Sequence, residues 1–114
     1  MRGSFLIVLA AMGAATPALA ADRSGYTLIA AGNLSAAEQR IVAERRIFPQ
    51  RPELMLNLAA VYRSTGRDSQ ARALYTAVLD KPAVAMDLPS GAVASSHEIA
   101  QRALARFSTQ MATR

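Results

Sequence analysis

Residues 52–82 read PELMLNLAAVYRSTGRDSQARALYTAVLDKP, and this stretch decides the fold. Its apolar residues recur every three to four positions on both sides of Gly66, which is the spacing of one face of an α-helix. Pro52 suits the first turn of a helix, where its missing N–H needs no partner. Gly66 is a natural helix stop, and Asp68 is a good N-cap for the next helix. The stretch therefore predicts two helices joined by a tight turn.

The segment before residue 52 has the same layout. A short helix is predicted over residues 23–31, and Gly32 stops it. The next helix is predicted to begin at Ser35, because Ser35-x-x-Glu38 has the pattern of a capping box. Pro49 ends this helix. The N-terminal half of the chain is thus a second helix, turn and helix.

The segment after residue 82 begins with a predicted loop. Residues 82–94 contain turn-forming residues and no helical period, and a loop of this length is typical of a mobile or a binding element. Ser95-x-x-Glu98 is a second capping box, and it opens a last helix that carries Phe107 on its apolar side. Runs of β-branched residues are absent after residue 20, so no strand is expected. Residues 109–114 are predicted to be a flexible tail.

An internal repeat is the most informative feature of the sequence. Two glycines and three further pairs of similar residues share an offset of 34 positions. The pairs are Leu28 and Tyr62, Gly32 and Gly66, Ala37 and Ala71, and Ile41 and Tyr75. An offset shared by several positions indicates a repeated structural unit, and helical hairpins of this kind bury their outer faces by stacking.

A helix–turn–helix unit of this length resembles the tetratricopeptide repeat. Residues 52–82 resemble one nearly full repeat, although Met55 stands where a Trp or another large apolar residue is usual. The matching positions are Leu58, Ala59, Tyr62, Gly66, Ala71 and Tyr75. Residues 21–48 resemble a preceding repeat with a trimmed first helix, and Glu44 departs there from the small residue of the family.

The resemblance implies an all-α fold in which antiparallel helical hairpins stack as a short tetratricopeptide-like α-solenoid. The helix that begins near Ser96 would be its C-terminal capping helix. The domain would span residues 21–108. An ordinary helical bundle with coincidental periodicity is the alternative interpretation.

The resemblance also implies a binding surface, because the first helix of each hairpin in this family typically lines a concave face that holds a peptide or a partner's helix. The residues implied are Glu53, Leu56, Asn57, Ala60, Arg63 and Ser64. Some peptide-clamping members carry Asn where this chain has Asn57. Their first-repeat Lys and Asn would fall on Asp22 and Tyr26, and this departure disfavours capture of a C-terminal carboxylate. A polar residue on a solvated face is the alternative role of Asn57.

Residues 1–20 have the three parts of a secretory signal peptide. Arg2 gives a basic start, residues 5–15 are uncharged and largely apolar, and Ala18 and Ala20 are small residues before the cleavage site. The protein is therefore predicted to be exported, to the periplasm if the source has two membranes and otherwise to the outside. The membrane would be met only during export. An uncleaved anchor is the alternative.

Composition excludes several classes of protein. The chain of 114 residues has no Cys and one His, which excludes a disulfide framework and a Cys- or His-rich metal site. The net charge of +5 comes from dispersed Arg residues without interleaved aromatic residues, so nucleic acid is not an expected partner. No metal or cofactor is expected.

Catalysis is not expected either. Ser95, His97 and Glu98 are the residue types of a hydrolase triad, but neighbouring positions at one helix start cannot face each other. The sequence therefore predicts a non-catalytic protein–protein interaction module in the cell envelope. The alternatives are a self-associating structural protein, a membrane-tethered factor with an uncleaved anchor, and an enzyme or small-ligand carrier.

Overall fold

The structure is a computed structural model that describes residues 24–112, so the predicted signal peptide and Asp22 lie outside the described residues. Residues 24–112 form five helices and one two-stranded antiparallel sheet. The elements are α1 (Tyr26–Ala30), α2 (Leu34–Ile47), α3 (Pro52–Ser64), α4 (Asp68–Leu79), β1 (Ala85–Asp87), β2 (Val93–Ser95) and α5 (Ser96–Ala112). The predicted all-α fold of antiparallel helical hairpins is confirmed.

α3 lies at the centre of the stack and contributes to two apolar clusters. One cluster joins α3 to α4 and α5 through Met55, Leu56, Ala59, Ala71, Tyr75, Val78, Ala100, Ala103 and Phe107. The other joins α3 to α2 through Ala37, Ile41, Leu54, Leu58 and Val61. Because two sides of α3 are apolar, it packs against α4 in its own hairpin and against α2 in the first hairpin, and α5 covers the second hairpin as a cap.

The 34-residue offset holds in three dimensions at the positions that define it. Gly32 and Gly66 both turn the chain with positive φ, 81° and 80°. Ala37 and Ala71 are both completely buried in the helix that follows, where a small side chain permits close approach of the neighbouring helix. The two hairpins therefore share one arrangement of turn and packing residues.

α1 begins later than the predicted start at residue 23. Gly25 precedes it in the left-handed conformation, with φ of 79°, and α1 starts at Tyr26. Gly25 is buried, and a Cβ atom built on it would lie 2.6 Å from Cγ1 of Ile41 in α2. The absence of a side chain at Gly25 therefore lets the chain enter α1 directly against α2.

The first predicted capping box is wrong. α2 begins at Leu34, and its N-cap is Asn33, whose Oδ1 accepts a hydrogen bond from the amide of Ala36 at 3.3 Å. Ser35 is consequently inside the first turn of the helix rather than before it. Glu38 is too far along α2 to reach back to the cap, and its carboxylate instead binds Arg67.

Of the two other predicted N-caps, Asp68 is wrong and Ser95 is confirmed. The N-cap of α4 is Arg67, and Asp68 is the first helical residue rather than the cap. At α5, the amide of Glu98 donates to Oγ of Ser95 at 3.0 Å, so Ser95 caps the helix as predicted. The Glu98 carboxylate accepts a hydrogen bond from Arg102 in the same helix.

The expectation that the chain contains no strand is also wrong. Within the predicted loop over residues 82–94, β1 pairs antiparallel with β2, and Met86 lies opposite Ala94. Ser96, which is completely buried, anchors this β-hairpin: its Oγ accepts from the amide of Val84 at 2.9 Å and its amide donates to the Val84 carbonyl at 2.8 Å. The hairpin is thereby fixed to the start of α5.

α5 runs beyond Phe107 to Ala112. His97 in its first turn is half-buried, with Nε2 against the carbonyl oxygen of Lys81. No helix within residues 24–112 has the length and apolar character needed to cross a lipid bilayer.

Arg67 connects the two hairpins. Its guanidinium donates two hydrogen bonds to the Glu38 carboxylate, at 2.6 and 3.0 Å, and lies 4.6 Å from the centroid of the Tyr62 ring. Nε of Arg67 also donates to Thr65 Oγ1 at 3.0 Å in the turn between α3 and α4. The hydrogen bonds from Arg67 lower the pKa of Glu38 below its ordinary value.

The Glu38–Arg67 pair makes stability depend on pH. A carboxylate whose pKa is lower in the folded state contributes stability above its unfolded pKa of about 4.3, and that contribution is lost as pH falls through the folded value. We expect Glu38→Gln to lower the free energy of unfolding by about 0.5–1 kcal/mol at neutral pH, since the pair is partly exposed to solvent. Urea unfolding at a series of pH values from 7 downward measures the change, and the difference from the wild type should shrink as the pH falls below the unfolded pKa of Glu38.

Glu98→Gln is the matched control for that experiment, because Glu98 and Arg102 form a single, more exposed contact within one helix. It should cost only a few tenths of a kcal/mol. An equal loss for both variants at pH 7, or a loss for Glu38→Gln that does not decrease as the pH falls, would show that the ion pair between the hairpins adds no stability beyond that of an exposed pair.

Candidate partner-binding groove

An open groove of about 650 Å³ lies between α1, α3 and the β-hairpin. One wall is α1, the base is α3, and the opposite wall is β1 with the turn that follows it. Tyr75 and Ile99, from α4 and α5, complete the lining. The remaining lining residues are Ser24, Tyr26, Thr27, Ile29, Glu53, Leu56, Asn57, Ala60, Met86, Asp87, Leu88 and Pro89.

Four of the six predicted partner-binding residues line this groove: Glu53, Leu56, Asn57 and Ala60. Their spacing explains why they come together, because positions three, four and seven apart lie on one face of a helix. The helical repeat of α3 therefore places these four residues on the face that forms the base of the groove.

Arg63 and Ser64 are not brought into the groove. The Arg63 guanidinium lies 5.5 Å from the centroid of the Phe107 ring, against α5. Ser64 is exposed at the last position of α3. Arg63 is thus directed towards α5, and Ser64 lies outside the groove lining at the end of α3.

Asn57 makes a hydrogen bond within the chain. Neither of its two predicted roles, a peptide-clamping residue or a polar residue on a solvated face, included this bond. Its Nδ2 donates to the backbone carbonyl of Ser24 at 3.0 Å, and the contact is partly buried. The hydrogen bond joins α3 to the residue just before Gly25. Asn57 therefore fixes the entry of α1 beside the groove and helps to set the distance between the two walls.

The β-hairpin supplies four of the lining residues that sequence reasoning missed. Met86, Asp87, Leu88 and Pro89 form its side of the groove. The length of the loop was the available signal, since long connections in compact domains often carry binding elements. The identity of these residues was not predictable, because it depends on how Ser96 anchors the hairpin.

The charged residues of the groove are both acidic. Glu53, in the first turn of α3, and Asp87, at the end of β1, line the groove, and its lining includes no Arg or Lys. The same two residues line a neighbouring cavity of about 540 Å³ between the start of α3 and β1. Burial raises the pKa of the Tyr75 hydroxyl above its ordinary value.

The lining of the groove is mostly apolar, with a few polar groups. Apolar side chains from α1, α3, the hairpin and α5 surround one amide and two carboxylates. Within residues 24–112 no group of three His, Cys, Asp or Glu side chains is arranged to hold a metal ion. No family model matches the chain, and no curated protein and no solved structure matches it either.

Proposed function

We propose that this chain is a tetratricopeptide-like module that binds an extended segment of another protein in the groove over α3, without catalysing a reaction. The repeat of turn and packing residues at an offset of 34 positions supports the tetratricopeptide assignment. The signal-peptide pattern of residues 1–20 supports a site of action in the cell envelope.

One observation carries the proposal: the predicted concave face of α3 lines an open, largely apolar groove. Its volume of about 650 Å³ lies within the range of small-molecule and cofactor pockets. A groove of this size takes a few side chains of a partner rather than a whole domain. Apolar walls with a few fixed polar groups supply affinity through burial and orientation through the polar contacts.

The experiment uses a steric block on the base of the groove. Ala60 is half-buried and lines the groove, whereas Ala73 on α4 is exposed and lies outside it. Peptides are selected on the wild-type protein from a displayed random library, and their affinities are measured by titration calorimetry. We expect Ala60→Trp to weaken the selected peptides at least tenfold, since the indole occupies the space that the peptide needs.

Ala73→Trp is the matched control and should change affinity by less than twofold. Circular dichroism melting of both variants shows whether each one is folded. Equal affinity of the two folded variants for every selected peptide would contradict the proposal, and so would a library from which the wild type selects nothing.

A further inference from the structure

We infer that the segment bound in the groove combines apolar side chains with one Lys or Arg side chain, whose charged group lies at Glu53 and Asp87. This inference rests on the proposed function and adds the chemistry of the partner. It concerns the end of the groove where the start of α3 faces β1.

The sign of the charge in the groove is opposite to that of the chain. The sequence has 13 Lys and Arg residues against 8 Asp and Glu residues. The lining of the groove nevertheless includes two carboxylates and no cation. A cationic side chain is therefore attracted to this surface, while an anionic one is repelled.

The two carboxylates are available to a partner. In the part of the chain that the structure describes, the ion pairs formed by acidic residues are Glu38 with Arg67 and Glu98 with Arg102, and neither Glu53 nor Asp87 takes part in one. Both residues are exposed. Arg51, just before α3, lines the neighbouring cavity but not the groove, and its guanidinium lies 4.0 Å from the centroid of the Phe48 ring.

The positions of Glu53 and Asp87 also define where the cation lies along the bound segment. Glu53 comes from the base of the groove, α3, and Asp87 from the wall formed by β1, and both line the neighbouring cavity as well as the groove. A cation at this end of the groove is attracted by both carboxylates, and two attractions give a more favourable free energy of binding than a single exposed ion pair. Apolar residues of the segment then lie along the rest of the groove, beside Leu56, Ala60 and Met86.

Met86 suits this mixed recognition. Its side chain is unbranched and half-buried, and it packs against the cluster formed by α3, α4 and α5. A flexible thioether adapts to apolar side chains of different shapes. The apolar part of the groove therefore accepts apolar side chains of different shapes. The acidic end fixes where the bound segment lies along the groove.

The test removes the charge of the two carboxylates of the protein and, separately, the charge of the basic residue of the peptide. Two peptides are compared. The selected peptide is one whose binding is blocked by Ala60→Trp, and the Gln peptide is the same peptide with its basic residue changed to Gln. Glu53→Gln combined with Asp87→Asn should weaken the selected peptide about tenfold and the Gln peptide less than twofold. On the wild type, the Gln peptide should bind about tenfold more weakly than the selected one, and higher salt should narrow that gap.

Glu98→Gln is the matched control, because Glu98 is also an acid in the first turn of a helix but lies outside the groove lining. It should leave both affinities unchanged. Melting temperatures separate a loss of binding from a loss of folding, since Glu53 also favours the start of α3.

Two outcomes overturn the inference while leaving the proposed function standing. One is a set of peptides blocked by Ala60→Trp that shows no enrichment in Lys or Arg. The other is unchanged affinity in the double variant. A concentration-dependent mass that Ala60→Trp abolishes would assign the groove to a second copy of the chain and overturn both statements. Failure to select any peptide blocked by Ala60→Trp would also overturn both.

Discussion

Phe107→Ala is expected to lower the free energy of unfolding by about 3–5 kcal/mol, as truncation of a buried aromatic side chain does. Phe107 is 3% exposed, and its ring centroid lies 6.2 Å from that of Tyr75 in α4. The guanidinium groups of Arg63 and Arg72 lie 5.5 and 5.2 Å from the centroid of the same ring. The substitution therefore removes apolar burial, an aromatic contact and two cation–π contacts together.

Urea unfolding monitored by circular dichroism measures this loss, with Phe107→Leu as the matched control. Leucine keeps most of the apolar volume but no ring, so it should cost about 1–2 kcal/mol. A cost below 1 kcal/mol for Phe107→Ala would mean that α5 does not cap the second hairpin in solution.

Gly25→Ala is expected to destabilise the protein by about 2–4 kcal/mol. A side chain at φ of 79° costs about 1–2 kcal/mol in backbone strain. The new methyl group would also lie 2.6 Å from Cγ1 and 2.8 Å from Cδ1 of Ile41, so α1 and α2 must separate or Ile41 must change rotamer. Overpacking of this kind typically costs about 1–3 kcal/mol.

Gly32→Ala separates the backbone strain from the overpacking against Ile41. Gly32 has nearly the same φ, 81°, but a Cβ atom built on it meets no heavy atom within 4 Å. It should therefore show the backbone strain alone, about 1–2 kcal/mol. Equal losses for the two variants in thermal and urea unfolding would show that the close approach of Gly25 to Ile41 is absent.

The helices with strong local signals were predictable from the sequence. Pro52 begins α3, and Gly66 lies in the turn after it, as expected from their backbone preferences. Ser95 caps α5 for the same reason: a side chain needs only its immediate neighbours to form a cap.

Local signals failed where two neighbouring residues competed for one role. Asn33 and Ser35 are both good N-caps, and the sequence does not say which one ends the turn at Gly32. The structure uses Asn33, and Glu38 then binds Arg67, a residue far along the chain. A capping pattern cannot exclude such a distant partner, because the pattern contains no information about it.

The β-hairpin was missed for a related reason. Strands of three residues are too short to show an alternating pattern, and their pairing depends on the buried hydroxyl of Ser96. Burial of that hydroxyl follows from the packing of α5. The groove residues Met86 and Asp87 were consequently beyond the reach of sequence reasoning.

The sequence by itself determined the helical hairpins, the turns at Gly32 and Gly66, and the face of α3 that carries Glu53, Leu56, Asn57 and Ala60. Each of these depends on residue spacing and backbone preference within a few positions. Only the tertiary structure decided that the β-hairpin forms one wall of the groove and that Asp87 lines the groove together with Glu53. It also decided that Asn57 donates a hydrogen bond to the carbonyl of Ser24, just before α1. These features depend on contacts between residues far apart in the chain, which local preferences do not specify.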